Sequence, residues 1–135
     1  HSDDQLPAGS PEWELAPELL PNPDETLIHK SFASSFEETD LEKVLEDLKG
    51  SHIVLAGAVT NFCIWATTYG ALDRGYGLTL VSDAHTTGTM ELGGKTINAE
   101  DIVTDLNAVM SWIKYPGRKN KAVTTGEVDF EQLVS

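Results

Sequence analysis

Residues 52–86 read HIVLAGAVTNFCIWATTYGALDRGYGLTLVSDAHT, and this stretch decides the fold. It contains two apolar runs, 52–58 and 76–84, which are typical of strands buried in a parallel sheet. Between them, residues 61–74 predict a helix that Gly75 ends. A strand, a helix and a second strand in succession indicate a βαβ unit and therefore a mostly parallel sheet.

Similar elements are predicted on both sides of this unit. The predicted strands are 26–30 and 122–125, and the predicted helices are 39–49, 98–113 and 127–134. Thr39 opens its helix with Glu42 at the spacing of a capping box. Residues 85–97 are expected to form a loop rich in glycine and threonine. Residues 1–25 contain five prolines and predict a surface loop.

Length and composition predict one soluble α/β domain over residues 1–135. The net charge of −13 argues against nucleic acid and anionic membrane surfaces as partners, because both would repel the chain. No apolar run is long enough to span a bilayer. A single cysteine cannot form an internal disulfide, which favours a reducing, cytoplasmic compartment.

The single cysteine, Cys63, is predicted just beyond a strand, in the first turn of a helix. Backbone N–H groups at that place favour a thiolate, and they can also stabilise an oxyanion. Lys30, Asp83 and His85 are predicted at the carboxyl ends of their strands, at the same edge of the sheet. The alternative is that Cys63 is a small apolar filler, that Lys30 is solvated, and that Asp83 caps a turn.

Two segments carry a family resemblance, namely KSFASSFEETDLEKVL at 30–45 and VLAGAVTNFCIWATTYGALDRGYGLTLVSDAHTT at 54–87. They resemble the isochorismatase-like cysteine hydrolases, and the opening HSDDQLPAGSPEWELAPEL is similar to a loop of that family. The resemblance covers roughly residues 1–110 and is most specific over 55–84. It implies a three-layer Rossmann-like domain whose mostly parallel sheet has six strands.

The resemblance also implies site residues. Cys63 matches the nucleophile and Lys30 the catalytic lysine, whereas the family's catalytic aspartate ends a first strand for which this chain has no match. A cis peptide bond maps onto Ala58–Val59, although GAV here replaces the commoner GVA. The backbone N–H groups of Val59 and Cys63 would then form the oxyanion site.

These features predict a hydrolase of a small amide or ureide that works through a cysteine thioester. The alternatives are a non-catalytic binding or scaffold protein and a vinyl-ether hydrolase of the isochorismate type. Candidate substrate contacts are Phe32, Phe36, Asn61, Trp65 and His85. No cofactor is expected. No metal is expected either, because the four scattered histidines show no metal-ligand spacing among themselves and His1 alone is a poor remnant of the family's metal motif.

The expected partners are a small-molecule substrate and further copies of the chain. The resemblance suggests a homo-oligomer, to which the apolar third helix with Trp112 and the nearby Tyr115 could contribute. The first two family strands have no match here, so about 40 or more residues are expected before His1, since a βαβ unit takes about 30 or more.

Overall fold

The computed structural model describes residues 7–133. The helices are α1 (Leu41–Asp47), α2 (Trp65–Asp73) and α3 (Ala99–Trp112). The strands are β1 (His52–Ala58), β2 (Gly77–Thr86), β3 (Met90–Leu92), β4 (Lys95–Ile97) and β5 (Asn120–Val123). A wide helical turn, Thr60–Ile64, leads into α2, and single 3₁₀ turns occur at Pro17–Leu19 and Thr125–Glu127.

The main sheet is parallel, with the strand order β1-β2-β5. This arrangement confirms the α/β fold with a parallel sheet that the sequence predicts. Within residues 7–133, β1 pairs with β2 alone. The expectation of further strands before residue 1 stays a prediction.

The core lies on the face of the sheet that carries the helices. Leu78 and Leu80 alternate along β2 with Thr79, so the two leucines share a face. Both are fully buried in one cluster with residues of α2 and α3, namely Ala71, Leu72, Leu106 and Met110. Leu41 and Leu45 of α1 also pack against this cluster, so all three helices contribute to one apolar layer.

The register of β1 against β2 changes in the middle of the pair. Leu55 lies opposite Leu80, but Gly57 lies opposite His85 and Ala58 opposite Thr86. The extra residues of β2 form a bulge, which bends the strand and redirects its last side chains. The bulge therefore brings the end of β2 level with the end of β1.

Two predicted elements are wrong. Residues 26–30 are irregular, because no strand among the described residues runs beside them to accept their backbone hydrogen bonds. The helix expected at 127–134 is missing from its described part, where turns replace it. The Asp129 carboxylate accepts hydrogen bonds from the N–H groups of Glu131 and Gln132, and such bonds compete with a helix.

The expected loop 85–97 contains a small hairpin, in which β3 pairs with β4 in antiparallel fashion. Gly93 and Gly94 join the strands with positive φ angles of 56° and 77°. Two residues with positive φ suit the right-handed twist of a hairpin, and glycine adopts them without steric cost. In the sequence, Gly93 and Gly94 between two short apolar runs therefore predict a hairpin.

The first helix begins at Leu41 rather than at Thr39. The Thr39 hydroxyl donates to the Ser35 carbonyl and accepts the N–H of Leu41, so it closes the preceding turn. Glu42 does not form the expected capping box, because its carboxylate pairs at 3.2 Å with Arg74, the residue that follows α2. None of the helices described is long and apolar enough to cross a bilayer.

His52 packs its ring over Gly77 at the start of the β1–β2 pair, where a Cβ on Gly77 would collide with Nδ1. His52 Nε2 lies 2.9 Å from the Thr79 hydroxyl, so the ring is held in place. Burial, together with the charge of Lys121, lowers the pKa of His52. The ring is therefore neutral at pH 7.

We expect Gly77→Ala to lower the free energy of unfolding by about 1–3 kcal/mol, the usual cost of overpacking. Urea denaturation at pH 7 measures the change. Gly126→Ala is the matched control, since a Cβ there meets no atom within 4 Å. In the double variant with His52→Ala, the cost of Gly77→Ala should fall, and an undiminished cost would show that the His52 ring is not its cause.

Candidate active site

Cys63 lies in the wide turn that joins β1 to α2. The Ala58–Val59 peptide bond is cis, at the position that the resemblance indicates. The N–H groups of Phe62 and Ile64 both donate to the Val59 carbonyl, at 3.1 and 3.2 Å. The bond from Ile64 spans five residues, so this turn is wider than an α-helical one. It leaves the Cys63 side chain only 6% exposed at the carboxyl end of β1.

Lys30 contacts Cys63 directly. Its Nζ lies 3.2 Å from Cys63 Sγ, and it also donates to the carbonyls of Phe32 and Ala33 at 2.7 and 3.2 Å. An ammonium group has three donors, and all three have acceptors here. The two carbonyls therefore fix the ammonium beside the sulfur.

Two threonines of α2 hold the parts of this site together. The Thr67 hydroxyl accepts the Ser35 N–H and donates to the Ser35 hydroxyl, both at 3.0 Å. These bonds tie the segment after Lys30 to the helix after Cys63. The Thr68 hydroxyl donates to the Ile64 carbonyl at 2.6 Å and so secures the end of the wide turn.

Asp83 is not part of this cluster. Its carboxylate accepts hydrogen bonds from the hydroxyl and the N–H of Thr125, at 2.8 and 2.7 Å. These two bonds lower the pKa of Asp83, and the bond from the hydroxyl has the larger effect. The aspartate joins the end of β2 to the turn after β5, which corresponds to the turn-capping alternative.

The two candidate phenylalanines lie in different surroundings. Phe36 is buried in the core cluster, stacks on Tyr76, and has the Arg74 guanidinium over its ring at 4.6 Å. Core packing covers the ring and argues against its expected role as a substrate contact, and that role stays a prediction. Phe32 is exposed beside Lys30, and its carbonyl accepts a hydrogen bond from the Lys30 ammonium.

Asn61 and Trp65 line a cavity of about 470 Å³ beside α3 and the hairpin. The Asn61 amide accepts the Thr87 hydroxyl at 2.8 Å and donates to Met90 Sδ at 3.5 Å. Trp65 is 52% exposed. Another cavity, of about 490 Å³, includes Lys30 itself; its other lining residues are Trp13, Glu14, Leu15, Leu20, Pro21, Leu27, Ile28 and His29.

His85 is 6% exposed, and both of its ring nitrogens have protein partners. Nδ1 lies 2.9 Å from the Thr60 hydroxyl, and Nε2 lies 2.9 Å from Asn107 Oδ1. Both nitrogens are engaged within the protein, which argues against the expected substrate contact through this ring, and that contact stays a prediction. Sequence reasoning missed Asn107 altogether, and its only signal was a polar residue on the apolar face of α3.

The structure brings no metal ligands together among residues 7–133, where no group of three His, Cys, Asp or Glu side chains could hold an ion. His1, the poor remnant of the family's metal motif, lies outside the described residues. Within the same residues, Lys30 forms no ion pair with a carboxylate, and the only described ion pair joins Arg74 to Glu42.

Comparison with known proteins gives a consistent result. Residues 1–113 match the isochorismatase domain. The chain is 31% identical to an isochorismatase family protein of Bacillus subtilis, over 75% of this chain and 58% of that protein. It is 28% identical to a ureidoacrylate amidohydrolase of Variovorax paradoxus, over 80% of this chain and 41% of that enzyme.

Solved structures agree. A cysteine hydrolase from Pseudomonas syringae pv. phaseolicola superimposes with a TM-score of 0.84 at 27% identity, covering 93% of this chain and 57% of that one. The chain thus spans about half the length of the proteins it matches.

The pH dependence of stability should reveal the bond between Asp83 and Thr125. The folded state lowers the pKa of Asp83. The contribution of this carboxylate to the free energy of unfolding is therefore complete above its ordinary pKa of 3.8, and it is lost as the pH falls through the pKa in the folded state. Urea denaturation at pH 7 and near pH 3 should show that the free energy of unfolding falls less between these pH values in Asp83→Asn than in the wild type. Asp47→Asn, an exposed carboxylate on α1, serves as the control. Equal losses in all three proteins would contradict this assignment.

Proposed function

Because the chain belongs to the isochorismatase domain family, we propose that it hydrolyses a small amide or ureide through a thioester on Cys63. The observation that carries this proposal is the 3.2 Å contact between Lys30 Nζ and Cys63 Sγ. A cation at this distance stabilises a thiolate, which is the nucleophilic form of cysteine. The resemblance to a cysteine hydrolase and to a ureidoacrylate amidohydrolase supports the same chemistry.

In the first half of the proposed reaction, Cys63 Sγ attacks the substrate carbonyl carbon, and a C–S bond forms. The carbonyl oxygen gains the electron pair, and the N–H groups of Val59 and Cys63 receive the resulting oxyanion. When the tetrahedral intermediate collapses, the C–N bond breaks. Ammonia or an amine leaves with a proton, and the acyl group remains on sulfur as a thioester.

In the second half, water adds to the thioester carbonyl and loses a proton. The C–S bond breaks, the acid is released, and Cys63 regains its thiol form. Both halves need a group that moves protons, and in the family resemblance this group is an aspartate. Asp83 is unsuited to that role, because its Oδ1 binds the turn at Thr125 and the carboxylate lies apart from the Lys30–Cys63 contact.

The cavity beside Lys30 bears on the class of substrate. Its lining contains aromatic and aliphatic side chains, with Trp13 stacked on His29 at 5.0 Å. An acyl group with an apolar portion would gain the transfer free energy of burial there. We therefore propose a small amide whose acyl part is at least partly apolar.

Lys30 and Cys63 disfavour the two alternatives. A vinyl-ether hydrolase has no use for a thiolate, and a scaffold protein has no need to place all three ammonium donors of a lysine around a buried sulfur. A cytoplasmic location also stays a prediction, drawn from the single cysteine.

Substitution of Cys63 is the direct test. In the whole protein, Cys63→Ala should lower kcat for amide hydrolysis by about 10³-fold or more, as expected for loss of a covalent nucleophile. Lys30→Met should slow both hydrolysis and the alkylation of Cys63 by iodoacetamide. Lys43→Met, on the surface of α1, is the matched control and should change neither rate. Full activity in Cys63→Ala would refute the thioester mechanism.

We also propose that the protein is a homo-oligomer. Trp112 at the end of α3 is 75% exposed, and such a large apolar side chain is often covered by a partner. Light scattering at micromolar concentration should report a mass of two or more chains, and Trp112→Glu should reduce it. A monomeric mass for the wild type would overturn this proposal.

A further inference from the structure

We infer that His85 is a positioning residue for the turn that carries Cys63, acting through Thr60 and held in its own place by Asn107. The inference rests on the proposed function only in the role that it gives to Cys63. It starts from three side chains on three different elements, which form one chain of hydrogen bonds that is buried at Thr60 and His85 and partly buried at Asn107.

The direction of these bonds follows from Asn107. Its Nδ2 donates to the Ser82 carbonyl at 3.1 Å, so the amide nitrogen must face that oxygen. Its Oδ1 therefore faces His85, and only a protonated Nε2 can donate to it. In the neutral ring the other nitrogen, Nδ1, is then an acceptor, and the Thr60 hydroxyl must be its donor.

His85 is buried, and its two partners are an amide and a hydroxyl. Asn107 thus selects the tautomer of His85, and the tautomer fixes the direction in which the Thr60 hydroxyl points. Each group in the chain has one orientation that satisfies its neighbours.

The order hydroxyl, imidazole, amide resembles that of a nucleophile with its base and orienting group. Thr60 cannot act as a nucleophile, however, because its side chain is 0% exposed. Its position gives it another role. Thr60 follows the cis peptide bond Ala58–Val59 directly, and it is the first residue of the wide turn that contains Cys63.

The hydrogen bond therefore acts on the backbone at the entrance of the turn. The Thr60 carbonyl also accepts the N–H of Trp65, so the hydroxyl and the carbonyl of this residue both hold the turn. The bulge in β2 makes the contact possible, because it places His85 opposite Gly57, three residues before Thr60. Because Asn107 lies on α3 and holds His85, this helix also supports the turn.

The test uses isosteric variants and one matched pair elsewhere. Thr60→Val removes the hydroxyl and keeps the shape, whereas Thr60→Ser keeps the hydroxyl. His85→Gln keeps a donor towards Asn107 and loses the acceptor towards Thr60. The control pair is His52 and Thr79, which share the same kind of 2.9 Å bond between β1 and β2 but belong to no part of the site.

We measure the alkylation rate of Cys63 by iodoacetamide, kcat and KM for the amide, and the urea midpoint. Thr60→Val and His85→Gln should each change the alkylation rate and lower kcat about tenfold or more with little change in KM, because small misplacements of reacting groups cost this much. Thr60→Ser, which keeps the hydroxyl, should have an alkylation rate and a kcat close to those of the wild type. His52→Gln and Thr79→Val should lower stability but leave both rates within about twofold of wild type.

Two results would overturn the inference. One is unchanged alkylation and kcat in folded Thr60→Val. The other is an equal effect of the control pair on these rates at equal loss of stability, which would indicate a structural role only. If Thr60→Val fails to fold, Asn107→Ala on α3 answers the same question, with the same two results decisive. A fully active Cys63→Ala would refute the proposed function, whereas the alkylation rates would still test His85.

Discussion

The parallel pairing of β1 with β2, with its change of register near Gly57, is the constraint on which the site depends. Parallel strands bring their carboxyl ends to one edge, and there the chain must leave each strand in a turn. One such turn presents Cys63, and the end of the other strand presents His85. Without the bulge, the side chains at the end of β2 would run past the turn rather than into it.

The Lys30–Cys63 contact illustrates how much of the site lies outside regular structure. Lys30 belongs to an irregular segment, and its ammonium is held by two carbonyls from the residues that follow it. The Ser35–Thr67 bonds then connect that segment to α2. Two side chains that are far apart in sequence thus meet through local turns and a few hydroxyl groups, and no strand of residues 7–133 runs beside the lysine.

The sequence predicted β1, β2, α2 and α3 well, because apolar runs and a helical period record what is buried. It failed where one side chain redirects the backbone. Thr39 and Asp129 both accept backbone N–H groups and move or replace predicted helices, and 26–30 has the apolar character of a strand with no described neighbour to pair with. Lys30 and Cys63 were singled out by their predicted places at strand ends and then by the resemblance, whereas the bond between His85 and Asn107 depends on a bulge that no local pattern predicts.

The parallel order of the sheet also bears on how the chain folds. His52 pairs with Gly77 and Leu78 with Asn120, so each pairing joins residues roughly 25 to 40 positions apart and closes a long loop. Such contacts are slow to form, since the entropy of loop closure is lost before the pairing stabilises anything. The β3–β4 hairpin and the helices can form locally and early. The Cys63 site is assembled from distant pairings, and it should therefore be among the last features to appear during refolding.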